Sequence, residues 1–162
     1  MRFYEAFGLK PGLSLDTEEL KKRFYERSRQ WHPDRFSRAS AAEQEKALEM
    51  TAVLNDAFRT LRDPIARAEY FLKENGIELS KEAPPELLEE VFELNMALEE
   101  LRDGDDSTRP QLREARDRFV AMRDSIDKSL TATTDLEEVR SLLNRRRYIR
   151  NLIRDVENVL PN

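Results

Sequence analysis

Four helix-start signals punctuate this sequence and leave little room for anything but helices. Asp16 with Glu19, Ser40 with Glu43 and Asp135 with Glu138 follow the capping-box pattern. In it a short polar side chain accepts a hydrogen bond from the first helical turn. Asp63 followed by Pro64 is a cap ahead of proline at the first helical position, where the missing N–H has no partner to lose. The stop signals agree with the starts. RFYEAF ends at Gly8 and PIARAEYFLKEN ends at Gly76, and glycine suits the left-handed cap conformation. The spacing predicts helices from Asp16 to about Trp31, from Ser40 to about Leu61, and from Pro64 to Asn75. Leu20, Phe24 and Trp31 are expected on the inward face of the first, and Leu48, Leu54, Phe58 and Leu61 on that of the second.

After IELSKEAPP, a polar segment with two prolines that reads as a linker over about 77–85, three more helical patterns follow at 86–102, 110–130 and 136–160. The joints DGDDSTRP and TATTD are turn chemistry. Leu112, Ala115, Phe119, Met122, Ile126 and Leu130 advance by threes and fours, as one face of a bundle helix must. No segment calls for a strand. Four glycines and 38% charged residues in 162 suit long solvent-facing helices. The expected fold is therefore all-α, in two units of 1–76 and 77–162.

Composition removes several function classes. Without cysteine there is no disulfide, thiolate nucleophile or cysteine-ligated zinc. MRFYEAFGL lacks the layout of a signal peptide, and no run approaches the roughly 20 apolar residues of a membrane helix. A soluble, cytoplasmic protein without membrane contact is expected. Residues 1–76 carry 14 Lys/Arg against 13 Asp/Glu, and residues 77–162 carry 14 against 20, so the halves differ in charge and invite different partners.

The one histidine lies in QWHPDRF, residues 30–36. A catalytic His–Asp pair needs an oriented partner and a nucleophile or metal, and Pro33 between His32 and Asp34 builds no triad. A metal centre is equally thin on one histidine and no thiol. From the residues alone, the stretch is a solvated interhelical turn or a recognition loop. The helix before it leaves Lys21, Lys22, Arg23, Arg27 and Arg29 largely outside, interrupted by Tyr25 and Glu26. Such a stripe is either an ordinary solvated face or a surface that steers an acidic partner.

YEAFGL at the start, LKKRF, WHPDRF and LNDAFRTLRDPIARAEY, in this helix order, resemble a J-domain, the co-chaperone module that activates DnaK-type heat-shock ATPases. The resemblance implies that His32, Pro33 and Asp34 form a trigger loop, with Arg35, Lys21, Lys22 and Arg29 on the chaperone-facing surface. A J-domain followed directly by a small helical bundle, joined by DPIARAEYFLKENGIEL with its Arg67-to-Tyr70 core, resembles the HscB iron–sulfur co-chaperones. That family implies a J-domain helical hairpin, a C-terminal three-helix bundle, an HscA-type chaperone partner and an IscU-type cluster scaffold as client. It implies no catalytic activity and no cofactor or metal.

At 100° per residue, Leu87, Val91, Leu94, Leu98 and Leu101 form one face of the first bundle helix, while Leu88, Phe92 and Met96 form a second ridge roughly 140° away. The second ridge is either covered by another element or exposed as a binding patch bordered by Glu89 and Glu93. In the last helix Val139, Leu143, Ile149, Ile153, Val156 and Leu160 are expected inward, and Tyr148 nearly opposite as an exposed aromatic. The resemblance places the client-binding positions on Leu88, Glu89, Phe92, Glu93, Met96 and Tyr148. The run Arg145 to Tyr148 also fits the basic-aromatic pattern of nucleic-acid binders, but the acidic excess of its domain argues against nucleic acid as a partner.

Overall fold

A computed structural model describes residues 1–160. Its helices are α1 (Arg2–Ala6), α2 (Thr17–Gln30), α3 (Ala41–Leu61), α4 (Pro64–Glu74), α5 (Leu88–Arg102), α6 (Arg109–Ala132) and α7 (Leu136–Val159). No strand occurs among the described residues, and no helix there is long and apolar enough to cross a membrane. The chain divides into two compact units, Met1–Ile77 and a second beginning at Glu78.

The caps work as their chemistry requires. Asp16 accepts from the N–H groups of Glu18 and Glu19, Ser40 from Glu43, Asp63 from Ile65 and Asp135 from Glu137. Gly8 takes φ +62°, and a Cβ there would stand 3.1 Å from the Arg27 guanidinium, so both backbone and space favour glycine.

In the first unit α1, α2 and α4 all pack on α3. Tyr4, Phe7, Leu20, Leu54, Ala57 and Leu61 form the fully buried centre, ringed by Phe24, Trp31, Phe58 and Tyr70. The α2–α3 hairpin runs antiparallel: Phe24 stacks on Phe58 at 4.2 Å, while Trp31, at the far end of α2, lies under the Lys46 ammonium. Leu48 departs from the periodic expectation. It is 60% exposed, because Ala47 takes the buried register and turns Leu48 to the flank, about 100° round the helix.

Arg67 is the buried polar centre of this unit. Its guanidinium, 6% exposed, donates from Nε to the Leu13 carbonyl at 3.0 Å and from a terminal nitrogen to the Leu61 carbonyl at 2.8 Å. Burial pulls its pKa below the usual arginine value, with Tyr4 and Asp63 opposing. Three residues on, the Tyr70 hydroxyl accepts from the Phe3 N–H at 3.0 Å and its ring stacks on Phe3. The R-A-E-Y segment is thus a latch that fastens α1 and the 9–15 loop to α4.

In the second unit α6 and α7 form a hairpin of 24 residues a side, ~36 Å long at 1.5 Å per residue, and α5 packs across part of it. Every residue expected inward on α7 is buried, as are Leu142 and Leu152. Arg146 pairs with Asp127 of α6 at 2.5 Å, which takes it out of any solvent-facing basic run. The DGDD stretch is a turn: Asp105 accepts from the Ser107 N–H and hydroxyl, and these bonds hold its carboxyl below the usual range. Residues 78–84 are not a free tether. The Ser80 N–H donates to Asn144 Oδ1 at 2.8 Å and Arg140 Nε donates to the Glu78 carbonyl, which lays this segment along α7.

Candidate chaperone loop and client ridge

The His-Pro-Asp tripeptide forms the start of a single 3-10 turn, Pro33–Phe36, between α2 and α3. Pro33 occupies its first position, where a fixed φ helps and no N–H is missed. His32 caps the turn: its Nδ1 accepts from the Asp34 N–H at 3.2 Å. With Nδ1 turned back onto its own loop, Nε2 is the ring nitrogen left for a partner. The Asp34 carboxylate lies 3.6 Å from Nδ1, but the two side chains are 60% and 94% exposed, too wet for the pair to contribute much stability. Among the described residues no third side chain hydrogen-bonds to either of them. The loop exposes one imidazole and one carboxylate where a docking partner can reach them.

The loop's shape comes from residues that periodicity does not single out. Trp31 and Phe36 stack almost parallel at 5.8 Å across the tripeptide. From α3, the Gln44 amide donates to the carbonyls of Phe36, Ser37 and Ala39, and Thr51 Oγ1 reaches the Trp31 carbonyl at 3.2 Å. Gln44 lies in the first turn of α3 and Thr51 near its middle, and only the hairpin's closure shows what their side chains hold.

Arg35, Lys21, Lys22 and Arg29 are exposed on the loop and on α2. Arg23 and Arg27 are not free members of that stripe. Arg23 donates to the Phe7 and Gly8 carbonyls at 2.8 and 3.0 Å and pairs with Glu19, and Arg27 packs against Gly8. Both cations complement the carbonyl end of α1, where unpaired C=O groups attract positive charge. The outward face of α2 is correspondingly narrower than the sequence suggests.

In the second unit α5 buries Leu87, Leu94, Ala97 and Leu98 and leaves Val91 and Leu101 half-buried. Leu88, Phe92 and Met96 are 55%, 65% and 48% exposed. They form a continuous apolar line over two helical turns, with Glu89 and Glu93 exposed alongside. Fully burying three such side chains is worth on the order of 5 kcal/mol in area terms, so an uncovered ridge is a costly ornament and a ready interface. Tyr148 departs from expectation. It is half-buried, lining a small surface cleft with Ser80, Lys81, Asn144, Arg147 and Asn151. The reason is the 78–84 segment, which covers a flank of α7 that the period of α7 alone would leave open.

Comparison with known proteins finds matches in both parts of the chain. The DnaJ domain family model matches residues 2–70, and the model described as the HSCB C-terminal oligomerisation domain matches residues 83–157. A relative from Shewanella sp. (strain MR-4), "Co-chaperone protein HscB homolog", is 37% identical over 146 residues, covering 85% of this chain and 82% of its own. The chain belongs to the HscB co-chaperone family. A second HscB homolog, from Vibrio vulnificus (strain YJ016), is 40% identical over 111 residues, and that match spans 66% of this chain and 65% of the relative's length. Among solved structures, the chaperone HscB from Vibrio cholerae superposes with TM-score 0.64 at 31% identity, covering 98% of this chain and 97% of that one. The human co-chaperone HscB superposes with TM-score 0.69 at 25% identity over 98% of this chain and 81% of that one. The HscB architecture of a J-domain followed by a C-terminal helical domain is the fold found here.

Proposed function

We propose that this chain is a non-enzymatic co-chaperone that brings an IscU-type iron–sulfur scaffold to a DnaK/HscA-type chaperone and stimulates ATP hydrolysis there. His32, Pro33, Asp34 and Arg35, with Lys21, Lys22 and Arg29, form the chaperone-facing surface. Leu88, Glu89, Phe92, Glu93 and Met96, with Tyr148 on α7, receive the client. The observation that carries the reading is a pairing. One unit holds a braced, exposed His-Pro-Asp loop, and the other an uncovered apolar ridge with an acidic border. Each end alone supplies a modest contact. Joined in one chain they act on one assembly, and the tether converts the second contact into an intramolecular event at raised effective concentration. Stimulation further requires that the loop bind one state of the ATPase better than the other, since equal binding shifts nothing.

The test is calorimetry against purified IscU-type scaffold with wild type and the L88A/F92A/M96A variant. The three side chains are exposed, so the variant keeps its fold by circular dichroism. The account expects binding by wild type and its loss, by at least tenfold, in the variant. Equal binding by both would remove the client from this ridge.

A further inference from the structure

Tyr25 is a large aromatic that the fold does not use. It is 54% exposed in the middle of α2, and its hydroxyl makes no hydrogen bond among the described residues. On a helix its neighbours across the surface are the positions three and four residues away. Those are Lys21, Lys22 and Arg29, all exposed, and with Ser28 and Glu26 the last two line a shallow groove beside the ring. One aromatic among three cations, seven residues and roughly 10 Å along the axis before His32, shares a face with the loop that the proposed function assigns to the chaperone.

The ring is also held in place. It lies tilted against Phe24 with centroids 5.7 Å apart; Phe24 stacks on Phe58 at 4.2 Å and meets Phe7 edge-on. An exposed side chain steadied by a half-buried aromatic ladder gives up little freedom when a partner covers it, and tyrosine combines a large apolar area with a hydroxyl at its tip. Such residues, ringed by charges that contribute less individually, are where interface energy concentrates.

We infer that Tyr25 is the affinity and selectivity anchor of the chaperone-facing surface: it seats in an apolar depression rimmed by carboxylates on the ATPase, while His32-Pro33-Asp34 supplies the trigger. The inference rests on the proposed chaperone role and adds a division of labour to it. Lys21, Lys22 and Arg29 steer through a screened field; the ring contributes by burial, which salt does not screen.

The experiment measures steady-state ATPase stimulation of the organism's purified HscA-type chaperone, and in parallel of its DnaK-type chaperone, as a function of co-chaperone concentration. Wild type, Y25Q, Y25F, K22A and H32Q are compared at about 0.05 and 0.5 M salt, where the screening length falls from roughly 14 to 4 Å. For Y25Q the half-maximal concentration rises about tenfold with maximal stimulation unchanged, and the ratio persists at high salt. Y25F stays within about threefold of wild type, K22A loses its effect in high salt, and H32Q loses maximal stimulation. Should Y25Q match wild type within twofold on both chaperones while H32Q is inert, the anchor is overturned and the chaperone reading stands. A fall in the Y25Q maximum at unchanged half-maximal concentration overturns the division of labour. Absence of stimulation by wild type on both chaperones removes the chaperone reading and the anchor with it.

Discussion

Arg67 shows how one side chain can make a fold conditional on itself. Its guanidinium donates to two carbonyls, those of Leu13 and Leu61, and the side chain is buried. Truncation leaves those acceptors unsatisfied, so R67A should destabilise the first unit by about 3 kcal/mol, read from urea unfolding followed by circular dichroism. R67K should lose roughly half of that, because an ammonium is a point donor where the planar fork serves two directions. Unchanged stability in R67A would contradict the latch. The tyrosines offer an independent check. Burial pushes the phenols of Tyr4 and Tyr70 up from their ordinary value. A group whose folded pKa is raised contributes stability that is complete below its unfolded pKa, about 10, and that drains away as pH rises through the folded value. In an alkaline absorbance titration two of the four tyrosines should therefore ionise late, and in urea all four should titrate together. The sequence discloses that Arg67 and Tyr70 form a motif, but not that both are structural, since their partners are backbone groups up to 67 positions away.

Among the elements, the loop between α2 and α3 depends on side chains from the helix that follows it. Removing the Gln44 amide or the Thr51 hydroxyl releases carbonyls at the mouth of the loop without touching its recognition groups. The double variant Q44A/T51V should keep its helix content and lower chaperone stimulation about threefold to tenfold, through lost preorganisation of the loop. Retained full stimulation would mean the loop shapes itself. Helix boundaries were legible because caps are local: Asp16, Ser40, Asp63 and Asp135 satisfy N–H groups within three residues of themselves. The ridge of α5 was legible as a pattern, and the fold leaves Leu88, Phe92 and Met96 exposed. Leu48, Arg23, Arg27 and Tyr148 were misplaced because each is set by something periodicity does not contain. For Leu48 it is the register Ala47 imposes, for the arginines the carbonyl end of α1, and for Tyr148 the segment 78–84.

At the scale of the whole molecule, the proposed function has two surfaces in separate units acting on one assembly. The consequence is an affinity gain that neither unit can show alone. Scaffold added to the chaperone assay should lower the wild-type concentration needed for half-maximal stimulation by about tenfold or more, and L88A/F92A/M96A should stimulate alone but lose that gain. Family membership fixes the architecture; it does not fix this coupling, which depends on where Leu88, Phe92 and Met96 meet water and on how His32 is held. The measurement that bears on it most directly is ATP hydrolysis by the purified chaperone titrated with wild type and H32Q, each with and without IscU-type scaffold. The expected result is stimulation by wild type, a shift to lower concentration when scaffold is present, and none from H32Q under either condition, with scaffold binding by H32Q intact. Equal stimulation by H32Q and wild type would contradict it.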